Sequence, residues 1–265
     1  MELEAEYNNG AKVPGSAAIV ARWPREAEAF RAAHPRAELG LAYGPSPRQA
    51  MDIFWPAPGR TAPLAMFIHG GYWQRNDRSL FSHFARGLLA HGVAVAMPSY
   101  DLSPQVTVAT IVEQVRAAAA LLARRHGRPM LAIGHSAGGH LAAMLLATDW
   151  AARGLAAPAV SAALPISGLF DLPPLTHTSV NTALGLDEAE ARRLSPLFLP
   201  RPPGVLHAVV GGDEGVEYTR QSRSIAEAWG GTWAAMPGRN HFTAPEPLGD
   251  PDSPLTKIAV KLMSS

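Results

Sequence analysis

The sequence predicts an α/β architecture, a mostly parallel sheet with helices on both faces. Short apolar runs alternate with segments of helical period along most of the chain. The runs at 64–68, 130–133, 160–166 and 205–210 each stop at a turn rich in glycine or serine, as buried parallel strands do. A composition of 47% hydrophobic and 17% charged residues over 265 positions suits a single domain, 1–265, that buries a core.

Residues 1–35 read as a leading arm with a helix around Arg25–Ala33. Gln49–Trp55 alternates and stops at Pro56, which predicts an edge strand. Leu64–Ile68 and Val93–Met97 read as buried strands, and Phe81, Phe84 and Leu88 between them as one face of a helix. Val108, Ile111, Val112, Val115, Ala119 and Leu122 form an amphipathic stripe that Gly127 ends. Met130–Ile133 runs into Gly134-His135-Ser136-Ala137-Gly138-Gly139, and the helix that includes Leu141–Leu146 has little polar surface, so it is expected to be buried. Val160–Ile166, Val205–Val210 and Thr232–Met236 are further strands. Tyr218, Ser222, Ile225 and Trp229 line a helix face, and Pro254–Leu262 is a closing helix. The Pro-rich stretch 173–203, with one helix at Asp187–Leu194, is the expected cap.

Lys and Arg total 23 against 22 Asp and Glu, a net charge of +1 with no basic block, which argues against nucleic acid as a partner. Cysteine is absent, so disulfides, thiolate metal sites and a Cys nucleophile are excluded together. The opening Met1-Glu2-Leu3-Glu4-Ala5-Glu6 lacks the basic and apolar regions of a signal peptide. The longest apolar runs, such as Ala117–Ala123, fall far short of the roughly 20 residues that span a bilayer. The expectation is a cytoplasmic protein with a small-molecule substrate and no membrane partner. Oligomeric state is not legible, a homodimer being one option.

In a parallel sheet the chemistry gathers beyond the carboxyl ends of the strands. Gly134-x-Ser136-x-Gly138 there is a nucleophile elbow, where a sharp strand-to-helix turn needs small neighbours and frees the serine. A serine hydroxyl needs a base, and the base an orienting acid. Of the downstream histidines, His140 lies in the elbow helix, His177 in the cap and His207 within a strand. His241 alone follows the last strand in a loop, and is the expected base. Asp213, after the penultimate strand, is the expected acid, with Asp171 as alternative; Glu214 is expected to face away. The N–H groups of Gly71, Tyr72 and Ala137 are the expected oxyanion hole, and His69 is expected to tie that loop down. Tyr72 and Trp73 are expected to form a flat apolar wall for substrate, and Asn181 in the cap is a candidate contact for a polar head. No His-Glu-x-x-His or Asp/His cluster suggests a metal, so neither metal nor cofactor is expected.

The string His69-Gly70-Gly71-Tyr72-Trp73, then Tyr100-Asp101-Leu102-Ser103-Pro104 and the elbow at 134–138, resembles the kynurenine formamidase (arylformamidase) family of hormone-sensitive-lipase-like α/β-hydrolases. The resemblance continues through Ser167–Leu172, Ser195-Pro196, Glu217, Arg220–Ser222 and Asn240-His241-Phe242, and so spans roughly residues 50–245. It implies the α/β-hydrolase fold with an eight-stranded sheet, the triad Ser136, Asp213 and His241, hydrolysis of N-formyl-L-kynurenine to kynurenine and formate, and no cofactor. Phe242, beside the base, joins the candidate substrate-binding residues. Two other functions compete: a broad short-chain carboxylesterase, and an idle hydrolase fold that binds a small molecule. The complete set of catalytic residue types speaks against the second.

Overall fold

The computed structural model describes residues 3–57 and 61–264; Met1 and Glu2 of the leading arm lie outside them. The strands are β1 (Ala37–Ala42), β2 (Ala50–Phe54), β3 (Leu64–Ile68), β4 (Ala94–Pro98), β5 (Met130–His135), β6 (Val160–Ile166), β7 (Val205–Gly211) and β8 (Thr232–Met236). The helices are α1 (Leu3–Tyr7), α2 (Asn9–Lys12), α3 (Ser16–Ala33), α4 (Arg86–Ala90), α5 (Val108–His126), α6 (Ala137–Leu146), α7 (Asn181–Leu184), α8 (Glu188–Arg193), α9 (Val216–Trp229) and α10 (Pro254–Leu262).

The strands form one eight-stranded sheet in the order β1-β2-β4-β3-β5-β6-β7-β8. From β4 to β8 every pairing is parallel, and β2 runs antiparallel to both its neighbours. Side chains alternate along each strand. Leu64, Met66 and Ile68 therefore enter the core under α5, α6 and α9, while Ala65 and Phe67 enter the one under α3, α4 and α10. With both faces covered, the central strands are apolar throughout rather than alternating.

Three expectations are corrected here. Gln49–Trp55 holds no edge strand: β2 is buried along its length because β1 covers its outer side. Strand β1 escapes periodicity, since it is half exposed, its pairing shifts register between Glu38 and Leu41, and Gly40 sits inside it with φ 71°. The arm helix begins at Ser16, well before Arg25, and continues through Pro24. Phe81, Phe84 and Leu88 are all buried together, but on two 3-10 turns leading into α4 rather than on one α-helix. No helix among the described residues is long and apolar enough to cross a membrane.

Candidate active site

Strand β5 delivers Ser136 at its carboxyl end with φ 57° and ψ −121°, a left-handed backbone that a serine adopts only under compulsion. The compulsion comes from packing. A Cβ on Gly138 would stand 2.0 Å from the Ile68 carbonyl oxygen, so α6 presses against β3 as only glycine allows. The chain turns within one residue, and the Ser136 hydroxyl is left over the start of α6. Ala137 is the first residue of that helix, so its N–H has no carbonyl one turn behind it.

His241 follows β8 in a loop whose Asn240 side chain accepts from the N–H groups of Phe242 and Thr243, at 3.0 and 3.1 Å. Its Nε2 lies 3.0 Å from Ser136 Oγ. Its Nδ1 lies 2.6 Å from a carboxylate oxygen of Glu214, whose side chain is fully shielded from solvent. The other oxygen of Glu214 accepts from the Gly211 N–H at 2.6 Å and from the Ser167 hydroxyl. These donors satisfy the buried carboxylate oxygen and fix the direction of the side chain.

The expected acid is therefore corrected: Glu214, not Asp213, meets His241. The chain after β7 makes a turn closed by Glu214 N–H donating to Gly211 O at 3.2 Å. At its tip Gly212 and Asp213 donate to the carbonyls of Met236 and Arg239, at 2.7 and 3.0 Å, which leaves the Asp213 side chain in solvent. Glu214 comes back toward the sheet, and its extra methylene spans the distance to the imidazole. Asp171, the alternative, pairs with Arg220 at 2.9 Å.

The loop after β3 brings Gly71, with φ 121°, and Tyr72, with φ 51°, to the same end of the sheet. His69 anchors it. Its ring is stacked between Tyr100 and Phe81, its Nδ1 lies 2.9 Å from the Gly70 carbonyl, and burial lowers its pKa to about 4. Tyr72 is tied to the arm and to α9, its hydroxyl donating to Tyr7 O at 2.6 Å and lying 2.8 Å from the Tyr218 hydroxyl. His135, missed as a site neighbour, has its Nε2 2.7 Å from the His241 carbonyl. Burial, then the neighbouring His241, holds its pKa well below the usual value, so it is a neutral ring that donates Nε2–H to that carbonyl.

Ser136, His135 and His241 open onto a cavity of about 370 Å³ that Tyr72 and Phe242 also line. Its outer wall comes from the arm, with Glu4, Tyr7 and Asn9, and from Ser179 and Val180 of the segment after β6. Two candidate contacts are corrected. Trp73 is fully buried in the core, edge-on to His140 at 5.1 Å, because φ 57° turns it away from the cavity. Asn181 closes its own turn, exchanging hydrogen bonds with the backbone of Leu186 at 2.9 Å in both directions.

The BD-FAE family profile matches residues 51–156. Kynurenine formamidase of Salmo salar is 31% identical over 85% of this chain and 81% of its own, and that of Danio rerio is 28% identical over the same shares. A crystal structure of a Silicibacter sp. TM1040 protein, provisionally assigned as a thioesterase, superposes with TM-score 0.92 at 37% identity, over 98% of this chain and 99% of that one. Esterase B of Lactobacillus rhamnosis shares the fold, with TM-score 0.69 at 19% identity over 97% and 96% of the two chains. This chain is a hydrolase of the esterase and arylformamidase type, and by sequence and fold it belongs to the kynurenine formamidase family of α/β-hydrolases.

Proposed function

We propose that this protein removes the formyl group of N-formyl-L-kynurenine, with Ser136 as nucleophile, His241 as base and Glu214 as the orienting acid. The relatives named kynurenine formamidase point to the substrate. The observation that carries the mechanism is the unbroken chain from Ser136 Oγ through His241 to Glu214, at 3.0 and 2.6 Å, at the floor of the cavity.

Ser136 Oγ attacks the formyl carbon as His241 Nε2 takes its proton. The carbonyl oxygen becomes an oxyanion facing the N–H groups of Gly71, Tyr72 and Ala137, which act as its donors. Each such donor is worth about 2.7–4 kcal/mol in the transition state. The C–N bond breaks, His241 returns the proton to the departing aryl amine, and the formyl group remains on Ser136. Water, deprotonated by His241, attacks the formyl carbon, the bond to Ser136 Oγ breaks as His241 returns the proton to that oxygen, and formate leaves. Glu214 holds Nδ1–H and stabilises the imidazolium in both steps. The arm and the segment 173–203 act as a small cap that limits the acyl side.

The test compares kcat/KM for N-formyl-L-kynurenine, p-nitrophenyl acetate and p-nitrophenyl butyrate, with a phosphonofluoridate label to locate the nucleophile. A clear preference for the formamide and a label on Ser136 are expected. Preference for butyrate would make the protein a broad carboxylesterase, and no label would leave an idle binding fold.

A further inference from the structure

Two side chains of the cavity wall, Arg75 and Glu4, have no ion-pair partner among the described residues. Arg75 follows the oxyanion loop, held there by its N–H donating to Gly71 O at 3.2 Å, and its aliphatic stem lies against Gly71. Among the described residues no carboxylate lies within ion-pairing distance of it. Glu4 stands on the arm, with its two oxygens accepting from the N–H and hydroxyl of Ser179, both at 2.7 Å. Those bonds fix the carboxylate without neutralising it, and they hold its pKa below the usual value.

The neutral amides of the wall each make a bond elsewhere, Asn8 accepting from the Ala11 N–H at 3.2 Å. Asn9 donates to the Tyr218 hydroxyl at 2.7 Å, Gln74 to Val180 O at 2.9 Å and Asn76 to Gly70 O at 3.0 Å. Apart from its histidines, the charged side chains of this cavity wall are one cation, Arg75, and one anion, Glu4. They are not paired with each other, and the charges of both are felt at the buried Tyr72 phenol. The Tyr72 phenol is raised chiefly by burial, and beyond its bond to Tyr218 and the Glu214 charge it is lowered by Arg75 and raised by Glu4.

We propose that Arg75 and Glu4 recognise the α-amino-acid head of the substrate, Arg75 taking its carboxylate and Glu4 its ammonium. The inference rests on the reading of this cavity as the place where an aryl formamide is cleaved. A zwitterionic head matches two opposite charges held apart, and each contact is a charge-assisted hydrogen bond. The same pair disfavours a substrate with a plain alkyl tail, which would leave both charges facing carbon. A cavity of about 370 Å³ is of the size that encloses one small aryl amino acid.

The test is calorimetric binding of L-kynurenine and of 2-aminoacetophenone, which shares its aryl ketone and lacks the amino-acid head. In the unaltered protein L-kynurenine is expected to bind at least about tenfold more tightly, a difference of about 1.4 kcal/mol. Arg75→Gln and Glu4→Gln should each narrow that ratio severalfold, and Arg75→Lys should retain part of it. Equal affinity for the two ligands, or a ratio that Arg75→Gln leaves unchanged, would overturn the assignment. Turnover of N-formyl-L-kynurenine is read separately. Its absence with the binding ratio intact would sink the proposed reaction and leave the head-group site standing, whereas turnover with no ratio would do the reverse.

Discussion

The Glu214 carboxylate meets His241 Nδ1 at 2.6 Å, while the Asp213 side chain, one residue earlier, is in solvent. The two acids should therefore separate cleanly on substitution. Glu214→Gln keeps the shape but stabilises the wrong imidazole tautomer, and kcat should fall by about 10³- to 10⁴-fold. Asp213→Asn should stay within about twofold. Steady-state kinetics on p-nitrophenyl acetate reads both, and a severe Asp213→Asn would return the acid to that position.

Ser136 Oγ and His241 Nε2 lie 3.0 Å apart, and if they share one proton as proposed, their losses should not add. Ser136→Ala and His241→Ala should each cost several orders of magnitude in kcat, and the double variant little more. Losses that multiply in the double variant would mean two independent functions.

Trp73 is a core residue, and its removal should be read as lost stability. Trp73→Ala should lower the unfolding free energy by about 3–5 kcal/mol in a urea titration, as large aromatic truncations do. KM for aryl substrates should change little in the protein that stays folded. A large rise in KM with unaltered stability would return Trp73 to the substrate wall.

His69 and His140 are both fully buried, and burial lowers each from the usual 6.5 to about 4. Between those values the unfolded chain binds more protons than the folded one. Stability is thus fully present above pH 6.5 and falls with acid, by about 1.4 kcal/mol per pH unit for each ring. Urea unfolding at pH 7, 6 and 5 should show this decline, and His140→Gln should remove the share that His140 contributes. A stability that is level down to pH 5 would contradict the neutral buried state of both.

Much of the site could be read from the chain because position along strand ends carries it. Ser136 and His241 are marked by an elbow pattern and by a loop after the last strand, and both stand where those signals placed them. Glu214 was obscured because Asp213 and Glu214 are adjacent acids, and what separates them is the turn at 211–214, a matter of backbone hydrogen bonding with no periodic signature. Trp73 and Asn181 failed for another reason. Side-chain direction at a left-handed residue, or inside a turn, does not follow from residue type. Strand β1 was missed because an exposed, bulged edge lacks the apolar run that marks the central strands.

The tie between the arm and α9 joins residues made far apart in time. Tyr7 donates to Glu217 at 2.7 Å across 210 positions, and Asn9 reaches Tyr218 across 209. On the ribosome the arm has long emerged when its partners are still unmade. The arm can meet Tyr72 and Ser179 earlier, but its bonds to Glu217 and Tyr218 cannot form until the stretch that carries α9 has been translated. A nascent chain halted before residue 217 would already hold Ser136 and Glu214 yet lack His241 and the α9 side chains that tie the arm over the cavity, so on the proposed roles competence arrives only late in synthesis.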